Sequence, residues 1–232
     1  MGAAARRSPA SVSAHARAEW ARAARWFLER PYIRCRIIDA TVFTLLGLLV
    51  VIPWINGGWL NLLDWVSGPA KSVADAAYGL DDQQSDAMPV RIALALLRDI
   101  VGSRIAGWLP ILMVFPLAAS GVGALVGGSI QRRWTASLAY LFNTFVVDRI
   151  YAGHILLLLG MAMLPWVVAS FLTARREGRI FRVRSALWFS LLVATSPHMA
   201  WIGGVAVLAV HLVPRPQRVD VFRVALTAAA VI

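Results

Sequence analysis

Apolar residues in this chain gather in long blocks, and short arginine clusters separate the blocks. A helix needs about 20 consecutive apolar residues to cross the hydrocarbon core of a bilayer. The first such block runs from about Ile37 to Ile55. The second covers about Ile105–Gly127, with internal Gly and Pro residues that membrane helices tolerate. The third, about Trp134–Val147, is short for a full crossing and runs into the polar stretch Asp148–His154. The fourth is about Ile155–Leu172. The fifth and sixth, about Ala186–Ala194 and Met199–Val213, are broken by Thr195-Ser196-Pro197-His198. One long kinked helix over 185–213 is the competing count. A seventh block begins near Val221 and stops at Ile232 with no polar anchor after it, so a chain truncated at its carboxyl end is expected. The pattern predicts an all-α fold, a polytopic transmembrane helical bundle of about seven spans.

The segments between the blocks set the expected orientation. Residues 1–36 carry eight arginines against Glu19 and Glu29, and read as a basic cytoplasmic segment. Within it, Ala14–Arg30 suits a surface helix on anionic headgroups, with a disordered basic tail as the alternative. Residues 37–232 would form the transmembrane domain, with 56–104 as a polar outer loop. That loop holds Asp64, Asp75, Asp81, Asp82, Asp86 and Asp99. Inside it, residues 89–105 have helical periodicity and suit an amphipathic helix lying along the outer surface. Arginine clusters fall before span one and after spans two, four and six. This alternation predicts a cytoplasmic amino terminus and a multi-pass protein of the plasma membrane. It also favours two short spans over one kinked helix in 185–213. Asp39 is expected at the cytoplasmic end of the first span, where a carboxylate can reach water.

Composition agrees with a bilayer setting. The chain has 232 residues, 59% hydrophobic and 15% charged, against about 25% charged in a soluble domain. The net charge of +11 is spread as topology signals, which argues against a nucleic-acid partner. Cys35 is the only cysteine, so no intrachain disulfide and no thiolate metal cluster can form. Trp54, Trp59, Trp108, Trp134 and Trp166 lie near block ends and read as interfacial anchors.

Ionisable groups near membrane depth are costly and tend to mark sites or paired helix contacts. Asp64 is a candidate general base. A carboxylate beside an apolar surface holds a proton more readily than one in water, and can take one from a hydroxyl nucleophile. An aspartate capping a short interfacial helix is the alternative. Asp148 and Arg149 would position a phosphate or lipid headgroup, or form an interfacial ion pair. His154 and His198 could share a metal or bind a pyrophosphate, although an interfacial histidine more often only makes hydrogen bonds. The Asp81-Asp82 pair reads as a solvated turn. No metal or other cofactor is assigned, and no Gly-rich phosphate loop, HExxH or GxSxG is present.

The run Tyr140-Leu141-Phe142-Asn143-Thr144-Phe145-Val146-Val147-Asp148-Arg149-Ile150-Tyr151-Ala152-Gly153-His154 precedes Leu156–Gly160 and Leu164-Pro165-Trp166. It resembles a hallmark of the GT-C superfamily of membrane glycosyltransferases. There, Asn-Pro-Phe leads to an acidic residue, an arginine and a Gly-Gln or Gly-His pair, then to Leu-Leu-Gly-Tyr and Leu-Pro-Trp. Leu63-Asp64-Trp65-Val66-Ser67-Gly68-Pro69 is similar to a run that these proteins carry after their first span. The resemblance covers about residues 37–215. Thr144 stands where the family has proline and Met161 where it has tyrosine, and the family has more spans than this chain offers.

The resemblance implies transfer of a sugar from a polyprenyl-phosphate donor at the outer membrane face. Asp64 would be the catalytic base, and Asp148, Arg149, His154 and His198 would bind substrate. The expected partners are the bilayer and the lipid-linked donor. The alternative is a non-catalytic multi-pass protein: a transporter, flippase or assembly subunit for envelope lipids.

Overall fold

A computed structural model of the chain describes residues 31–55, 60, 62, 64, 65, 88–180 and 182–212. The surface helix expected over 14–30, the Asp81-Asp82 turn and the seventh apolar block lie outside the described residues. The chain divides into two compact units, 1–38 and 39–232. Only the opening turns of the first helix are described in the first unit, and the packing below belongs to the second.

The described residues form helices and no strands. They are α1 (Pro31–Ile55), α2 (Met88–Val101), α3 (Ser103–Val126), α4 (Ile130–Leu141), α5 (Thr144–Ala152), α6 (Ile155–Arg176), α7 (Val183–Thr195) and α8 (Pro197–Leu212). Three of them, within α1, α3 and α6, are long and apolar enough to cross a membrane; α7 and α8 are apolar but shorter. The 22 residues of α6 rise about 33 Å, the thickness of a bilayer core.

The core lies around α3, which packs against α6 and α4. Ile111, Val114, Phe115 and Ala118 of α3 are buried with Leu158, Ala162 and Val167 of α6 and Phe43 and Val51 of α1. Small residues let the backbones come close. A Cβ on Gly47 would stand 2.9 Å from the Phe115 ring, and one on Gly121 would stand 2.7 Å from the Trp166 indole. Away from the core, α1 exposes Leu45, Leu49 and Ile52, and α8 exposes Trp201, Val205, Leu208 and Leu212. An apolar exterior of this extent suits lipid rather than water.

Contacts fix two ends of the bundle. At one end, the Arg104 guanidinium donates to the Ile55 carbonyl, and Trp65 Nε1 donates to the Gly107 carbonyl at 3.0 Å. At the other end, Asp39 meets Arg133 beside Gly123. Among the described residues, the long apolar helices α1, α3 and α6 run between these ends. The fifth and sixth apolar blocks are two helices that fold back on each other, not one kinked helix. Ser196 breaks them with an extended backbone, and a Cβ on Gly203 would meet the Leu192 and Phe189 side chains.

Three expectations are corrected. The third block is not one helix over 134–147 but α4 and α5, separated at Phe142-Asn143. The Asn143 side chain explains the break: its amide donates to the Tyr140 carbonyl at 2.9 Å, and its oxygen accepts from the Val146 amide at 3.0 Å. One side chain thereby ends α4 and caps α5. Asp39 does not reach water. It is 3% exposed and accepts from Arg133 Nε (2.9 Å), Arg133 Nη2 (3.3 Å) and Trp134 Nε1 (2.8 Å). Trp166 is not an interfacial anchor. It is buried, donates to the Leu117 carbonyl at 2.8 Å and stacks on Trp188 with ring centroids 5.0 Å apart.

The amphipathic helix expected over 89–105 is α2. It buries Ala95, leaves Leu96 and Ile100 exposed, and ends at Gly102, whose φ of 82° starts the turn into α3.

Candidate functional site at the Gly153 turn

The site begins with the way α5 stops. Gly153 is left-handed, with φ 81° and ψ 18°. Its amide donates to the Ile150 carbonyl at 3.1 Å, and the His154 amide donates to the Arg149 carbonyl at 3.0 Å. This pair of bonds is a Schellman ending, which glycine adopts without steric cost. It reverses the chain into α6 and brings the His154 side chain back over Arg149, one helical turn earlier in sequence.

The same glycine makes room for the segment that carries Asp64. The Asp64 amide donates to the Ala152 carbonyl at 2.9 Å, satisfying a group that the end of α5 leaves without a helical partner. A Cβ at Gly153 would stand 2.9 Å from Leu62 Cβ, 2.8 Å from the Trp65 nitrogen and 3.0 Å from the Asp64 nitrogen. Leu62 and Trp65 close a tight turn through reciprocal backbone bonds of 2.8 and 3.3 Å. Leu60, 3% exposed, anchors the loop in the core, and the Trp65 indole ties it to α3.

Four ionisable side chains meet on this frame. His154 Nε2 lies 2.5 Å from Asp64 Oδ2, and His154 Nδ1 lies 2.8 Å from Arg149 Nη1. Arg149 Nη2 lies 3.0 Å from Asp148 Oδ2, and its guanidinium carbon sits 5.5 Å from the centre of the Phe145 ring. The cluster is open on one side: the Asp64 and Asp148 side chains are 52% and 63% exposed, those of His154 and Arg149 31% and 32%. The structure therefore joins Asp64, Asp148, Arg149 and His154, which lie up to 90 positions apart in sequence.

It does not bring in His198. The α7–α8 turn packs at Gly160, where a Cβ would meet Ser196 Cβ at 2.9 Å. Gly160 lies six residues along α6 from His154, about 9 Å by the helical rise. His198 is exposed at the start of α8 and takes no part in the hydrogen bonds that join the other four. Both ring nitrogens of His154 are engaged by Asp64 and Arg149, so a metal shared between His154 and His198 has no support in this arrangement.

Thr144 occupies the first position of α5. Proline also suits that position, because its amide has no partner within the helix. A Thr there departs from the Asn-Pro-Phe pattern without costing a hydrogen bond.

Sequence reasoning did not find the Asp39–Arg133–Trp134 cluster. Its signal was the position of Asp39 as an acidic residue inside an apolar block, since such a residue requires a partner. The partner lies 94 positions away.

Comparison with protein-family models, curated proteins and solved structures finds no match.

Proposed function

We propose that this chain is part of a membrane glycosyltransferase that takes sugar from a polyprenyl-phosphate donor at the outer face of the plasma membrane. The observation that carries the reading is the docking of Asp64 onto His154 and Arg149 at one end of the bundle. Arg175 and Arg176 close α6 at the opposite end, 21 and 22 residues from His154, and Arg133 lies there against Asp39. With the arginine-rich end cytoplasmic, Asp64 emerges outside and the amino terminus lies inside. In this reading α4 with α5, α7 and α8 complete the crossings among the described residues.

Asp64 is the base that takes the proton from an acceptor hydroxyl arriving from the aqueous side. Arg149 faces the phosphate that leaves, where negative charge develops. It is already paired with Asp148, so a phosphate binds by displacing that exposed carboxylate.

The test uses membranes carrying the full-length protein and a radiolabelled polyprenyl-phosphate sugar. Asp64→Ala is expected to abolish transfer with membrane insertion intact. Undiminished turnover in that variant rules the mechanism out.

One observation favours a second, non-catalytic reading as a transporter, flippase or assembly subunit for envelope lipids. The Asp39–Arg133 pair is buried inside the bundle, with side-chain exposures of 4% and 11%, as coupled charges in transporters are. In that case Asp39→Asn stops lipid movement, and Asp64→Ala does not.

A further inference from the structure

Arg149 and Asp64 together dictate where His154 carries its proton. A guanidinium nitrogen only donates hydrogen bonds and has no acceptor. Arg149 Nη1 lies 2.8 Å from His154 Nδ1, so Nδ1 must offer a lone pair. A neutral imidazole with a bare Nδ1 carries its hydrogen on Nε2, and Nε2 faces the Asp64 carboxylate, an acceptor. The bonds run in one direction, from Arg149 through His154 to Asp64.

We infer that Arg149 locks His154 as the neutral Nε2–H tautomer, which makes His154 the positioning residue for the Asp64 carboxylate and leaves it neither a general base nor a phosphate ligand. The imidazole has no lone pair left to take a proton from substrate, since Nδ1 is held by Arg149. Its remaining role is to aim one Asp64 oxygen and hold the outer loop over the Gly153 turn. The groups that face His154 are Asp64 from the loop and Arg149, backed by Asp148, from α5. The cation of α3 nearest this end, Arg104, is turned to the Ile55 carbonyl. A second proton on the imidazole would point at the Arg149 guanidinium and break the lock by like-charge repulsion. The catalytic consequence rests on the transferase reading; the tautomer does not.

The decisive measurement is nitrogen NMR of the full-length protein labelled with 15N-histidine in lipid nanodiscs. The chain has four histidines, and the His154 signals are those lost in His154→Gln. At neutral pH the expected result is a protonated Nε2 and an unprotonated Nδ1, with the preference lost in Arg149→Leu. A protonated Nδ1 at neutral pH, in a neutral or a cationic ring, overturns the inference.

Activity gives the second readout. His154→Leu is expected to lose roughly 100-fold in kcat with KM little changed, the scale of a misplaced reacting group. His154→Gln, whose amide donates and accepts but takes no proton, should recover most of that loss. Equal loss in Gln and Leu overturns the positioning role. The expected tautomer in a protein that transfers no sugar leaves the lock standing and removes the transferase reading.

Discussion

Gly153 lies against the backbone of Asp64, so close that a Cβ would stand 3.0 Å from the Asp64 nitrogen. The contact joins the end of α5 to the segment that carries Asp64, and both partners are backbone. Neither can rotate away, as a flexible side chain would.

Replacing Gly153 with alanine should therefore cost more than the usual penalty of a left-handed residue. That penalty alone is about 1–2 kcal/mol. The clash with the Trp65 and Asp64 nitrogens adds to it and should lift the loop from α5, breaking the Asp64–His154 bond. In detergent, Gly153→Ala is expected to lower Tm and make the segment around Asp64 sensitive to protease. An unchanged digestion pattern would mean that the loop does not depend on this contact.

The two ends of the bundle should face opposite sides of the membrane. Cys35 is the only native cysteine, so Cys35→Ser gives a clean background for labelling. Tyr151, 71% exposed, stands beside the site, and Arg179 is exposed beyond the end of α6. In intact cells, a membrane-impermeant thiol reagent is expected to label Tyr151→Cys but not Arg179→Cys. The second variant should react only after permeabilisation. Labelling of both from one side would contradict the proposed topology.

The Asp39–Arg133 pair should behave as a buried ion pair, costly to halve and cheaper to remove whole. Asp39→Ala leaves a buried guanidinium facing no carboxylate, a change typically worth about 3–5 kcal/mol. Thermal unfolding in detergent should show a large fall in Tm for Asp39→Ala. The double variant Asp39→Leu with Arg133→Met should recover a substantial part. Additive losses in the double variant would show that the two residues act independently.

Close helix packing at two glycines predicts unequal sensitivities. At Gly160, a Cβ meets the first carbons of Ser196 and Met199, which cannot retreat without moving α8. At Gly203, the nearest atom is the far end of the Leu192 side chain, which can change rotamer. Gly160→Val is expected to cost about 1–3 kcal/mol, the scale of overpacking, and Gly203→Ala clearly less. Unfolding curves in one detergent compare them directly.

Much of the helix layout was legible because burial in lipid leaves a one-dimensional record. The blocks Ile37–Ile55 and Ile155–Leu172 fall within α1 and α6, Ile105–Gly127 overruns α3 by one residue, and the periodicity of 89–105 falls on α2 as far as Val101. The break at Thr195–His198 was legible too, since Pro197 begins α8. The break at Phe142-Asn143 was not, because it depends on a single amide that bonds in both directions.

The sequence by itself determined which segments prefer hydrocarbon, where arginines interrupt them, and that Asp64, Asp148, Arg149, His154 and His198 were the groups to watch. These follow from composition and spacing, which act locally along the chain. Tertiary structure alone decided which of those groups meet. It placed Asp64 on His154 across 90 positions, left His198 outside the hydrogen bonds that join the other four, and buried Asp39 against Arg133. Such pairings depend on how helices stack and how one left-handed glycine turns the chain, and neither leaves a periodic trace in sequence.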